Sequence, residues 1–170
     1  MILIGIGANL PSPEHGTPLE TCKAAVRALD DAGLAVSAQS TWYESMPVPV
    51  SDQPWFINGV VRVETDRDVP DVLALLHSIE ADFGRVRAER NAPRILDMDL
   101  LCYGQRIVGG DGEGGAVVPH PRMAERAFVL KPLAELAPEW RHPVSGLPIS
   151  ALIEALPADQ VARPLGSSGA

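Results

Sequence analysis

The chain has 170 residues, 46% of them hydrophobic and 21% charged, a composition that fits one folded domain and excludes a disordered or fibrous polymer. Fourteen Lys and Arg against 22 Asp and Glu give a net charge of −8, which argues against a nucleic-acid surface as its main business. No window approaches the roughly 18 continuous apolar residues of a membrane span. The opening MILIGIGANL carries no basic leader region, so a cytoplasmic protein with no membrane partner is expected.

In chain order, Ile2–Ala8 is an almost wholly apolar run, as expected of a central strand covered on both faces. Thr17, Pro18 and Glu20 carry the residue types of a helix start, with Cys22, Val26 and Leu29 at helical spacing and Gly33 as the stop. Residues 34–43 and 56–65 read as strands; in the second, Ile57, Gly59, Val61 and Val63 alternate with Phe56, Asn58, Val60 and Arg62. Asp68, Pro70 and Asp71 open a second helix whose stripe Val72, Leu75, Leu76, Ile79 and Phe83 ends at Gly84. Residues 95–103 form a fourth strand, and residues 122–136 and 149–156 short C-terminal helices.

The order β-α-β-β-α-β predicts an α+β ferredoxin-like sandwich with an antiparallel sheet, helices on one face and the active site on the open face. A single domain is expected over residues 1–160, with a disordered tail at 161–170. The glycine-rich stretch at 109–115 reads as a surface loop; it is no Walker-type phosphate loop, because AVVPHPRM follows it. Cys22 and Cys102 each lie in apolar sequence and read as buried free thiols.

The chemistry concentrates between residues 85 and 106. Leu96, Met98, Leu100 and Cys102 alternate with Ile95, Asp97, Asp99 and Leu101, so the first set faces the helices. Asp97 and Asp99 then stand on the open face, about 7 Å apart by strand geometry. Two carboxylates this close repel unless a proton or a hard cation neutralises them. Arg85, Arg87, Arg90, Arg94 and Arg106 outnumber Glu89, Asp97 and Asp99 here, a local excess of two positive charges in an acidic protein. Guanidinium groups bind phosphate bidentately, so carboxylates with arginines suit a phosphorylated ligand held through magnesium. His120 sits between Pro119 and Pro121, and Phe56 and Asn58 share a strand face that suits a flat heterocycle. A solvated acidic strand, ion-paired arginines and a nucleotide-sensing module without turnover remain open on these residues alone.

IGIGANL, DQPWFINGVV, GRVRAERNAPRILDMDLLCYG and VPHPRMAERAFVLKPLAELAPE together resemble the hydroxymethyldihydropterin pyrophosphokinases of the folate pathway, over residues 2 to about 156. The resemblance implies the ferredoxin-like sandwich and transfer of pyrophosphate from ATP to the pterin hydroxymethyl, giving AMP and the pterin diphosphate in tetrahydrofolate biosynthesis. It implies two Mg2+ ions on Asp97 and Asp99, with Arg85, Arg94 and His120 catalytic beside them. His77, Glu80, Arg85, Arg87, Arg94, Leu100, His120 and Arg126 would bind ATP. Ser45, Pro47, Val48, Phe56, Asn58, Asp97 and Phe128 would bind the pterin, the two aromatic rings sandwiching it. ATP and the pterin are the expected partners of a monomer. The chain departs from the family where many members carry Arg-Trp-Gly-Pro-Arg, since it has Arg90-Asn91-Ala92-Pro93-Arg94.

Overall fold

The computed structural model describes residues 1–84, 93–109 and 117–166. Arg85, Arg87 and Arg90, and most of the glycine-rich loop, lie outside the described residues.

The apolar run β1, Ile2–Ala8, becomes an interior strand of a six-stranded sheet. It pairs antiparallel with β4, Phe56–Glu64, on one side and with β5, Asp97–Tyr103, on the other. The region read as one strand over 34–43 divides into β2, Ala35–Gln39, and β3, Tyr43–Ser45. Both pair with β4, but at opposite ends of it. The break falls at Ser40, whose hydroxyl accepts the Val60 N–H at 3.0 Å. Beyond it Trp42 lies across Gly59, where an added Cβ would sit 2.6 Å from the indole.

Two helices cover one face. α1, Pro18–Asp31, begins with the expected capping pair, Thr17 Oγ1 accepting the Glu20 N–H and the Glu20 carboxylate accepting the Thr17 N–H. α2, Val69–Asp82, starts at Asp68, whose carboxylate pairs with Arg106 at 3.2 Å instead of capping its helix. Their stripes pack with Ile4, Ile6, Val61, Val63, Leu96, Met98 and Leu100 into a buried core. Each fully buried Leu or Ile there contributes about 1.5–3 kcal/mol.

The other face is not fully open, a correction to the sequence reading. α3, Ala127–Leu136, and α4, Ile149–Glu154, pack over Leu3, Val60 and Leu101 to make a second core. The physical reason was present in β1, which is apolar on both faces and so requires cover on both. Cys102 belongs to this second core rather than to the helix face. An irregularity in the β1–β5 ladder, where Leu3 pairs with Cys102 and Ile4 with Leu100, shifts the alternation beyond Leu100. Both thiols are free and buried.

The segment read as a helix over 122–136 has a 3-10 turn, Met123–Glu125, and then α3. Arg126 between them is extended, at φ −119° and ψ 116°. β6, Val108–Gly109, and β7, Val117–Val118, form a small separate ladder. The supposed tail contributes structure: β8, Ala162–Pro164, pairs with β3 at the sheet edge. Residues 167–170 lie outside the described residues. No helix among the described residues is long and apolar enough to cross a membrane.

Candidate functional site

A cavity of about 390 Å3 opens on the second face beside the cover of α3. Its floor follows from two glycines. Gly7 stands in register between Asn58 on β4 and Asp97 on β5, and Gly5 between Val60 and Asp99. Residues in one row of a sheet share a face, so Asn58 and Asp97 look into the same space across a strand that has no side chain there. Their strands are two spacings apart, about 10 Å. Gly7 is required to be small, because a Cβ on it would lie 2.8 Å from Asn58 Nδ2.

Asp97 and Asp99 line the cavity together with Arg94, Arg122, Arg126 and His120. The Arg94 guanidinium pairs with Asp97 at 3.1 Å. Its backbone is held as firmly: the Arg94 N–H donates to Asn9 Oδ1 at 2.8 Å, and the Arg94 carbonyl accepts the N–H groups of Asn9 and Leu10. Asn9 Nδ2 in turn donates to Gln53 Oε1 and to the Pro54 carbonyl. One buried amide at the end of β1 thus ties the Arg94 loop to the loop that precedes β4. Sequence reasoning assigned Asn9 no role, although a polar residue closing an otherwise apolar strand is a visible signal.

His120 is oriented by its own loop. Its N–H donates to the Leu101 carbonyl at 2.8 Å, and its Nδ1 accepts the Arg122 N–H at 3.1 Å. That bond assigns the neutral ring a proton on Nε2, a donor. Burial pushes the imidazole down to about 4; Arg126 acts in the same direction, Asp97 opposes it, and Arg122 adds to the lowering. His120 is therefore a neutral hydrogen-bond donor near pH 7, not a cation.

Of the residues assigned to the pterin, Pro47, Val48, Phe56, Asn58, Asp97 and Phe128 line the cavity. Ser45 does not: it is buried behind Asn58, its hydroxyl donating to Asn58 Oδ1. With that oxygen taken, the Asn58 amide nitrogen is the part lying over Gly7. Arg126 stands with its guanidinium 5.4 Å from the Phe128 ring centre.

Of those assigned to ATP, His77, Glu80, Arg94, His120 and Arg126 line the same cavity. Leu100 does not, because its side chain faces the opposite way, into the core under α1 and α2. Glu80 is 2% exposed, and its carboxylate accepts the Met98 N–H at 2.9 Å. Met46, Gln53 and Arg122 also line the cavity without having been singled out as site residues from the sequence.

A cation can be tested against these donors. Among the described residues no group of three or more His, Cys, Asp and Glu is arranged to hold a metal. Two carboxylates are nevertheless what magnesium uses where phosphate oxygens and water fill the remaining positions. The donor set fits that ion when a phosphorylated ligand is present, and does not fit a closed structural site.

A family model described as 7,8-dihydro-6-hydroxymethylpterin-pyrophosphokinase (HPPK) matches residues 3–138. The chain is 40% identical over 153 residues to the 2-amino-4-hydroxy-6-hydroxymethyldihydropteridine pyrophosphokinase of Synechocystis sp., covering 89% of this chain and 74% of that one. It is 35% identical over 155 residues to the folic acid synthesis protein fol1 of Pneumocystis carinii, of which it spans only 20%. Among solved structures, Plasmodium falciparum HPPK-DHPS superposes with a TM-score of 0.65 at 14% identity, over 90% of this chain and 43% of that one. At that identity the likeness concerns the fold.

Proposed function

Because the chain belongs to the 7,8-dihydro-6-hydroxymethylpterin-pyrophosphokinase family, we propose that its cavity transfers pyrophosphate from ATP to the hydroxymethyl group of 6-hydroxymethyl-7,8-dihydropterin. The observation that carries this reading is the meeting, in one cavity, of Asp97, Asp99, Arg94 and His120 with Phe56, Asn58 and Phe128. Carboxylates, a guanidinium and a neutral donor suit polyphosphate, whereas an amide and two aromatic rings suit a flat heterocycle.

In this reading the hydroxymethyl oxygen attacks the β-phosphorus of ATP in line. An O–P bond forms, the bond from the β-phosphorus to the oxygen bridging it to the α-phosphorus breaks, AMP departs and the hydroxyl proton passes to solvent. Asp97 and Asp99 would hold two Mg2+ ions, which neutralise phosphate charge and favour the ionised alcohol. Arg94, supported by Asn9 and by its pair with Asp97, stabilises charge on the transferring group. His120 donates Nε2–H to a phosphate oxygen. Arg126 binds phosphate from the α3 side, with Arg85 and Arg87 as further phosphate contacts and His77 at the rim. Phe56 and Phe128 would stack the pterin, with the Asn58 amide reading its edge, Pro47 and Val48 completing the wall, and Ser45 fixing the amide from behind. Glu80 and Leu100 shape the site through β5, Leu100 offering the ligand no side chain.

The βαββαβ frame is read as ferredoxin-like, and the protein as a cytoplasmic monomer whose partners are its substrates. The net charge of −8 supports the exclusion of nucleic acid.

The test is incubation of the protein with magnesium, ATP and hydroxymethyldihydropterin, resolving AMP from ADP, with omission of the pterin as control. Pterin-dependent AMP is expected. ADP, or ATP binding without any product, would refute the assignment.

A further inference from the structure

Residues 160–163 touch the cavity's surroundings from two sides. Gln160 Oε1 accepts the Ala127 N–H at 2.9 Å, and Gln160 Nε2 donates to the Glu125 carbonyl at 2.8 Å. One amide thus grips the backbone immediately before and after Arg126, the extended residue between the 3-10 turn and α3. The next carbonyl, that of Val161, accepts the N–H of Met46 at 3.1 Å, and Met46 also lines the cavity. Ala162 then pairs with Ser45, the residue behind Asn58, while its carbonyl accepts from Lys131 Nζ. Arg163 closes the sequence with a bond to Glu44 at 2.6 Å and its guanidinium 5.1 Å from the Trp55 ring centre.

The local backbone explains why such a grip matters. Arg126 is neither in the 3-10 turn nor inside α3, and no side chain of its own caps the α3 N-terminus. The Ala127 N–H is one of the donors that a helix start leaves without an intrahelical acceptor, and Gln160 supplies that acceptor from 33 residues away. The Arg126 carbonyl accepts the Val129 and Leu130 N–H groups, so Gln160 adds its hold to the peptide groups on either side of a residue whose guanidinium lines the cavity.

We infer that residues 160–163 form a brace for the cavity, and that Gln160 is a positioning residue acting through Arg126. The inference deepens the proposed nucleotide site and rests on Arg126 contacting phosphate there.

The experiment is a double-mutant cycle in the full chain with Gln160→Ala, Arg126→Ala and the combination. Binding of α,β-methylene-ATP with magnesium is measured by calorimetry, and unfolding by thermal melts. Because Gln160→Ala removes the two hydrogen bonds to the backbone flanking Arg126, it is expected to weaken the analogue about fivefold to tenfold. In the Arg126→Ala background it adds nothing further, since the two residues act as one unit. Gln160→Glu retains the acceptor for Ala127 but not the donor for Glu125, and falls between. Unchanged binding in Gln160→Ala, or effects that add independently, would overturn the brace. An Arg126→Ala protein that binds the analogue like wild type overturns the phosphate role of Arg126 itself, a failure separable from that of Gln160.

Discussion

The Glu80 carboxylate accepts the backbone N–H of Met98, the residue between Asp97 and Asp99, at 2.9 Å. A buried acid on α2 therefore reaches into β5 at the point where the two aspartates diverge from the core. Glu80→Ala is expected to cost about 1–3 kcal/mol, since it strands a buried N–H without its acceptor. Glu80→Gln, which keeps an acceptor, loses less than half of that. Chemical denaturation of both variants decides it; equal losses would mean that packing, not this bond, is what Glu80 supplies.

Asp97→Ala and Asp99→Ala should each lower turnover by at least about a hundredfold while leaving the fold intact. Asp97 pairs with Arg94 at 3.1 Å with both side chains partly exposed, and such a pair contributes only about 0–1 kcal/mol. Thermal melts close to wild type, together with loss of magnesium-dependent AMP formation, are the expected pair of results. A variant that retains near-normal rates would remove the aspartates from the reaction.

His120 predicts a pH dependence with a definite sign. Its folded value is pushed down to about 4 from the ordinary 6.5, so between those limits the unfolded chain binds the proton more readily. Stability is full above 6.5 and falls as the pH drops towards 4. The loss is on the order of 1–2 kcal/mol once solvent screening of the partly exposed ring is allowed for. Melts of His120→Gln across this range should show a shallower slope than wild type; identical slopes would assign the acid sensitivity elsewhere.

Gly7→Ala tests the cavity floor. The added Cβ meets Asn58 Nδ2 at 2.8 Å, and Asn58 is held from behind by Ser45. The amide must tilt into the cavity, so pterin affinity is expected to fall about tenfold or more while nucleotide affinity changes little. Titration of each ligand separately, the pterin with the nucleotide analogue already saturating, separates this from a general loss of structure.

Much of the site was legible because its residues are close in sequence. Asp97, Asp99 and Arg94 fall within six positions, and strand alternation alone places both carboxylates on one face. The Thr17 and Glu20 capping pair and the apolar stripes of α1 and α2 are likewise short-range patterns. Alternation already pointed the Leu100 side chain into the core, whereas Cys102 was placed on the wrong face because an irregularity in the ladder interrupts the alternation. That the Ser45 hydroxyl meets Asn58 emerges only when β3 pairs with β4.

Local order in the chain determined the helices, the central strand, the acidic pair and the thiols' burial, because periodicity and capping act over a few residues. Only tertiary structure decided that α3 and α4 cover the second face, that Asn9 joins Arg94 to Gln53 and Pro54, and that residues 160–163 brace the cavity. Those contacts span tens of residues. They form when buried backbone donors and acceptors find partners that the neighbouring sequence does not supply.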